Sequence, residues 1–195
     1  MSTSPLRFHT IALLAAVAAL CAGCVGYATN GPVPDTGAPR VKQGEVVRVI
    51  DGDTAHIVID GMKEKVRFIG IDTPESTREK EPYGAEASAY AKKLLTDRTV
   101  WIETDAELRD RYGRLLAYVW LERPESGSEA EVRAKQYNAR AVADGYAQIY
   151  TFPPNVRYAE VYLDLQRDAR EASRGLWAVP GAADPLEGKR SESLP

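Results

Sequence analysis

Cysteine is missing from most of this 195-residue chain. Its two cysteines are Cys21 and Cys24, so residues 25–195 offer no disulfide, no zinc–thiolate site and no thiol nucleophile. Histidine is equally scarce, with only His9 and His56, and His56 lies in a strand-like run. The scarcity argues against a histidine-based triad and a histidine-rich metal site. Chemistry in the body of the chain must therefore depend on carboxylates, guanidiniums and hydroxyls.

An excess of positive charge is also lacking. The chain has 25 Lys and Arg against 28 Asp and Glu, a formal net charge of −3. A protein that holds nucleic acid by bulk charge is normally basic. Any binding of phosphate groups by this chain must therefore rest on the local placement of arginines.

Residues 1–24 resemble an export signal. Arg7 precedes an apolar run over residues 11–20, which is too short for an ordinary membrane-spanning helix. The run ends in small residues before Cys24, as in a bacterial lipobox, although Cys21 stands where an aliphatic residue is usual. We expect an exported protein of the cell envelope, anchored by a lipid on Cys24 without spanning the membrane. Plain secretion after cleavage nearby is the alternative.

The rest of the chain divides by composition into three parts. Residues 25–42 are rich in Gly, Pro, Thr and Asn and show no periodicity, which is typical of a flexible linker. Residues 43–178 carry the alternating and helical patterns of one folded domain. Residues 179–195 form a polar tail.

Within the domain, the patterns predict five strands, at residues 45–50, 55–59, 65–71, 99–103 and 115–121. Helical spacing predicts three helices, around residues 87–94, 137–144 and 156–174, the last capped by Asn155. Residues 122–131 are polar and predict a mobile surface loop. This order predicts a five-stranded oligonucleotide-binding (OB-fold) barrel flanked by three helices.

The predicted third strand carries the most informative residues. Arg67 lies near its start, and Asp72 and Glu75 follow its end, where Pro74 stops the ladder. Asp53 follows the first strand, so Asp53 and Asp72 would meet at one end of the barrel. Two carboxylates with carbonyls and water suit a hard cation such as Ca²⁺ or Mg²⁺. The alternative is a plain turn at residues 51–53 and an ion pair at a strand edge.

Three further side chains suit the chemistry of a phosphodiester. Glu75 is close enough to Asp72 to orient or deprotonate a water. Arg67 and Arg114 are planar, permanently charged forks, which suit the charge that gathers on a phosphate under attack. The alternatives are a solvated carboxylate at Glu75 and a charged hairpin around Arg114.

Taken in order, these segments resemble the staphylococcal nuclease (thermonuclease) family over about residues 43–178. The segments are Asp53-Thr54, Arg67, Ile71-Asp72-Thr73-Pro74-Glu75, Tyr83-Gly84-Ala85-Glu86-Ala87-Ser88, Tyr112-Gly113-Arg114 and Gly175-Leu176-Trp177. The resemblance implies the family's barrel with three helices and a Ca²⁺-dependent phosphodiesterase of DNA and RNA.

The resemblance also implies a role for each matching residue. Asp53, Asp72 and the Thr73 carbonyl fall on the metal ligands, and Glu75 falls on the residue that activates or positions the attacking water. Arg67 and Arg114 fall on the pair that binds the scissile phosphate. The positions that contact substrate beyond that phosphate are Arg111, Tyr112 and Tyr150, the last as a base-stacking ring.

From these residues we expect an exported monomer that cleaves DNA, RNA or both, preferring single strands and leaving 3′-phosphates. The alternative is a non-catalytic module on the same fold that binds nucleic acid or protein.

Overall fold

The computed structural model describes residues 38–76 and 81–182. The predicted signal segment with Cys24, most of the predicted linker and most of the predicted tail lie outside the described residues. Among the helices that the structure describes, none is long and apolar enough to cross a membrane.

Five strands close into a barrel in the order β1-β2-β3-β6-β5, with β5 paired back onto β1. The strands are β1 (Val41–Val49), β2 (Thr54–Ile59), β3 (Met62–Phe68), β5 (Thr99–Glu103) and β6 (Leu115–Trp120). All neighbours are antiparallel except β3 and β6, which run parallel. The predicted fold class, an OB-type barrel with helices, is confirmed.

The alternation of the strands explains the core of the barrel. Every second residue of a strand faces inward, and these positions carry Ile57, Val66, Phe68, Val100 and Val119, all nearly or fully inaccessible to solvent. Outward positions of β3 hold the charged side chains of Lys63, Lys65 and Arg67. The inner apolar residues thus form the core of the barrel.

The strand predicted over residues 65–71 is two strands, and that prediction is wrong. β3 ends at Phe68, and β4 (Gly70–Asp72) pairs instead with β7 (Gln148–Tyr150), a three-residue strand that the pattern did not predict. Gly70 has φ +80°, and a Cβ there would lie 2.6 Å from the Tyr162 ring. The chain turns sharply here because only glycine accepts this backbone and this contact.

Four α-helices pack on the barrel: α1 (Gly84–Leu95), α2 (Glu129–Lys135), α3 (Tyr137–Ala143) and α4 (Ala159–Glu171), followed by a 3₁₀-helix at Gly175–Ala178. α2 is one more than predicted, because it begins inside the segment predicted as a loop. The Glu131 carboxylate accepts hydrogen bonds from the backbone N–H groups of Glu125, Ser126 and Gly127, which fold that loop onto the helix.

The predicted cap of the last helix is also wrong. α4 begins at Ala159, after a Tyr158 that makes no side-chain cap. The side chain of Asn155 instead bonds both backbone groups of Glu107, at 2.8 and 2.9 Å. Asn155 therefore ties two loops together rather than starting a helix.

Candidate active site

The turn between β1 and β2 delivers Asp53 to the site. Its carboxylate is buried and accepts from the Thr73 N–H at 3.1 Å and from the Thr54 hydroxyl at 2.9 Å. Gly52 permits this approach, since a Cβ there would lie 2.5 Å from the Thr73 side chain. From α3, the buried Tyr137 hydroxyl donates to the Gly52 carbonyl at 2.6 Å. The turn is therefore held from two sides.

The break after β3 brings Arg67 back onto Asp72. Arg67 Nη1 donates to the Phe68 and Ile71 carbonyls, at 2.9 and 2.8 Å. Its Nη2 lies 2.9 Å from Asp72 Oδ1 and 3.1 Å from Asp53 Oδ2. In α3, Asn138 Nδ2 donates to the Ile69 carbonyl at 2.8 Å and so fixes the break. A straight strand over residues 65–71 would have held Arg67 and Asp72 apart.

Asp51 adds a third carboxylate to Asp53 and Asp72. The sequence predicted only a turn residue at this position. Its Oδ1 accepts from the Asp53 backbone N–H at 3.2 Å. Burial, and then the charge of Asp53, raise the pKa of Asp51 to about 7. Burial favours the neutral form of Arg67, but the charges of Asp53, Asp72 and Asp51 oppose it and the pKa of Arg67 stays raised. We call Arg67, Asp51, Asp53 and Asp72 the Arg67 cluster.

This excess of negative charge fits a hard cation. All the donors are oxygens, which Ca²⁺ and Mg²⁺ prefer, and buried carboxylates need a cation or hydrogen bonds to compensate their charge. Within residues 38–76 and 81–182, however, no three His, Cys, Asp or Glu side chains are grouped as a metal site. The residues that would fit a cation are two carboxylates, Asp53 and Asp72, with Thr73 held beside Asp53 through its N–H.

Glu75 is placed by its main chain. Its N–H donates to Glu81 Oε2 at 2.7 Å, and its carbonyl accepts from the Glu81 N–H at 3.0 Å. A Cβ at Gly84 would lie 2.4 Å from the Glu75 carbonyl oxygen, so the first residue of α1 packs directly on this segment. Glu75 therefore stands on a fixed backbone three residues beyond Asp72.

Arg111, Tyr112 and Arg114 lie together on the turn before β6. The two guanidinium carbons lie 4.9 and 5.4 Å from the centre of the Tyr112 ring, which is 69% exposed. Arg114 Nε donates to Asp110 Oδ2 at 2.6 Å. The structure thus pairs Arg114 with Asp110 and not with the Arg67 cluster, although the strand it precedes is the parallel neighbour of β3.

Tyr150 reaches the site from β7. It pairs with Gly70 across the two-stranded sheet, and its ring meets the edge of Phe152 at 4.6 Å. Tyr150 is also among the groups whose charge raises the pKa of Arg67. An aromatic side chain that the sequence placed only by resemblance therefore stands beside the acid and guanidinium cluster.

Comparison of the sequence with known proteins identifies a family and several relatives. The family model described as staphylococcal nuclease homologue matches residues 65–179. A thermonuclease of Staphylococcus hyicus is 35% identical over 175 residues, covering 87% of this chain and 97% of the relative. A thermonuclease of Staphylococcus intermedius is 39% identical over 76% of this chain and 85% of the relative. Endonuclease YncB of Bacillus subtilis is 31% identical over 69% of this chain and 61% of its own length.

Proposed function

The chain belongs to the staphylococcal nuclease family, and from that membership we propose that it is an exported, Ca²⁺-dependent nuclease. Its substrate is the phosphodiester backbone of DNA, RNA or both, with single strands preferred, and its products carry 3′-phosphates. Relatives described as thermonucleases and as an endonuclease support the hydrolysis of nucleic acid.

One observation carries the proposal: both arginines keep unused donors. The Nε of Arg67 and both Nη atoms of Arg114 have no hydrogen-bond partner in the described part of the chain. Guanidinium N–H groups in a fixed fork bind phosphate oxygens well. None of these atoms is among the buried side-chain atoms without a partner, so the donors are open to solvent and within reach of a phosphate.

The residues then divide the reaction among themselves. Glu75 takes a proton from a water that attacks phosphorus in line with the leaving oxygen. The new P–O bond forms as the bond to the 5′ oxygen breaks. That oxygen takes a proton from solvent water and leaves as the 5′-hydroxyl. Arg67 and Arg114 bind the equatorial oxygens, where negative charge grows.

The carboxylates of Asp53 and Asp72 and the carbonyl of Thr73 would hold the Ca²⁺. When bound, that ion supplies positive charge against the phosphate and lowers the pKa of water. Away from the reacting phosphate, Arg111 and Tyr112 bind a neighbouring phosphate, and Tyr150 stacks on a base.

We also propose that the exported protein is a monomer and that a lipid on Cys24 tethers it to a membrane. Cys24→Ala is expected to move the protein from the membrane fraction to the soluble one.

The test uses the purified full chain with a labelled single-stranded DNA, in Ca²⁺, in Mg²⁺ and in chelator. We expect cleavage in Ca²⁺ alone, and products that lose their terminal phosphate to a 3′-phosphatase. Binding without cleavage under all three conditions would refute the enzyme and favour the non-catalytic module. Cleavage that persists in chelator would refute the metal dependence alone.

A further inference from the structure

The outer face of β1–β3 carries four basic residues in register. Arg48 lies opposite His56, and His56 lies opposite Lys65, so these three form one row across the strands. Lys63 lies one step further along β3, opposite Val58. We call Arg48, His56, Lys63 and Lys65 the basic stripe. Arg48, Lys63 and Lys65 are exposed to solvent, and His56 is half-buried between them.

The cations of the basic stripe lack counterions, unlike their neighbours. Lys42 of β1 pairs with Asp60 at 2.7 Å, and Glu64 of β3 pairs with Arg109 at 2.7 Å. Arg48, Lys63 and Lys65 form no ion pair with any residue that the structure describes. Glu45 lies on the same part of β1, opposite Val58, and it pairs with none of them. A chain of net charge −3 thus concentrates uncompensated positive charge on one face.

The pKa of His56 reflects the positive charge of its neighbours in the basic stripe. Burial lowers the pKa of His56, and the charges of Lys63, Lys65 and Arg48 lower it further. Its Nδ1 is buried and has no hydrogen-bond partner. Like charges held this close repel one another and destabilise the folded chain. A bound polyanion would remove that cost.

The basic stripe leads directly to the site. Lys63, Lys65 and Arg67 occupy alternate positions of β3, so they face the same side at steps of about 7 Å. Arg114 directly precedes Leu115, which pairs with Val66 next to Lys65. An extended strand lying along β3 from the Arg67 cluster would therefore meet a cation at each step.

We propose that the basic stripe binds the backbone phosphates of a single-stranded nucleic acid whose scissile phosphate lies at Arg67 and Arg114. The proposal rests on the proposed function and extends it, since it adds a phosphate track outside the residues that do the chemistry. It also explains how an acidic protein holds a long polyanion: the positive charge is placed locally along the substrate path.

The experiment measures binding of a fluorescent 20-nucleotide oligothymidylate to the full chain in chelator, across a range of salt concentrations. The triple variant Arg48→Gln/Lys63→Gln/Lys65→Gln is compared with Lys92→Gln/Lys93→Gln/Arg123→Gln. The control removes the same number of exposed cations elsewhere on the protein. Each phosphate contact on a single strand contributes about −0.7 to the slope of log K against log salt. The stripe variant is expected to lose about 2 units of that slope, and the control none.

Cleavage in Ca²⁺ separates the two claims. For each protein, kcat/KM on the 20-nucleotide strand is divided by kcat/KM on a dinucleotide, and we expect this ratio to fall about tenfold or more in the stripe variant only. Equal losses in both triple variants, or none in either, would overturn the track while leaving the nuclease in place. A wild-type chain that cleaves neither substrate would refute the proposed function, and one that does not bind the 20-mer would overturn the track.

Discussion

The barrel carries two clusters in which an arginine meets buried carboxylates, one around Arg67 and one around Glu103. Around Arg67, one guanidinium faces Asp51, Asp53 and Asp72, and the negative charge exceeds the positive. Glu103 is fully buried and is supplied with donors. It accepts from Trp120 Nε1 at 2.7 Å, from the Tyr158 hydroxyl at 3.0 Å and from Arg157.

The two clusters differ in how fully their carboxylates are satisfied. A buried carboxylate with every oxygen satisfied fixes the packing of its neighbours and is costly to break. A cluster with surplus carboxylates is left short of positive charge, which the proposed cation would supply. The comparison predicts that changes around Arg67 mainly affect catalysis, while changes around Glu103 mainly affect stability.

Arg67→Lys tests the functional side of the comparison and should have the largest effect. Lysine keeps the charge but loses the fork that bridges two carboxylates and two carbonyls, and with it the proposed contact with the phosphate. We expect kcat to fall about 10²–10³-fold, as for the loss of a preorganised donor. Arg109→Lys, in an exposed pair with Glu64, is the control and should change kcat less than twofold. Near-wild-type turnover of Arg67→Lys would contradict the assignment.

Glu103→Gln tests the structural side. The neutral amide leaves Arg157 without its buried partner and offers one acceptor oxygen to several donors, so the free energy of unfolding should fall by about 2–3 kcal/mol. Denaturant titration measures this loss, and kcat at 25 °C should stay within twofold. Glu64→Gln breaks an exposed pair and should cost under about 1 kcal/mol. A large loss of kcat in folded Glu103→Gln would blur the distinction between the clusters.

Tyr137→Phe tests whether a buried residue positions the Arg67 cluster, because the Tyr137 hydroxyl holds the Gly52 carbonyl from the core. Without its hydroxyl the Gly52 carbonyl loses a buried donor, at a cost of about 1–2 kcal/mol. We expect the Ca²⁺ concentration for half-maximal cleavage to rise several-fold with little change in kcat at saturating Ca²⁺. Tyr90→Phe removes a hydroxyl bonded to Asp144 on the surface and should leave the Ca²⁺ requirement unchanged. The same shift in both variants would argue against a positioning role.

The regular part of the fold was predictable from the sequence because its strands are long enough to alternate. β4 and β7 are three residues each, too short for any period to show, and the break between β3 and β4 depends on a tertiary contact of Gly70 with Tyr162. The prediction missed α2 although the sequence carries a helix-start signal there. Ser128 and Glu131 have the Ser-x-x-Glu spacing of a capping box, and the Ser128 side chain accepts from the Glu131 N–H. The Pro, Gly and Ser residues of the same segment favoured a loop instead.

The candidate site was also predictable only in part. Asp53 and Asp72 were expected to meet because a meander of the first three strands brings them to one end of the barrel, and the structure places both on Arg67 Nη2. Asp51 was read as a turn residue, since an Asp-Gly-Asp sequence is ordinary in turns. The supporting roles of Tyr137 and Asn138 had no signal, because each acts across more than 60 residues of chain. For Asp51, the only signal in the sequence was the Asp-Gly-Asp repeat at residues 51–53.

The proposed reaction depends on Glu75, whose main chain is held by Glu81, to activate water for hydrolysis of a phosphodiester. The most direct measurement is single-turnover cleavage of labelled single-stranded DNA in saturating Ca²⁺, comparing Glu75→Gln with Glu86→Gln, an exposed glutamate in the first turn of α1. We expect Glu75→Gln to bind the strand normally and to cleave it at least about 10²-fold more slowly, while Glu86→Gln cleaves at the wild-type rate. Equal rates for Glu75→Gln and the wild type would contradict it.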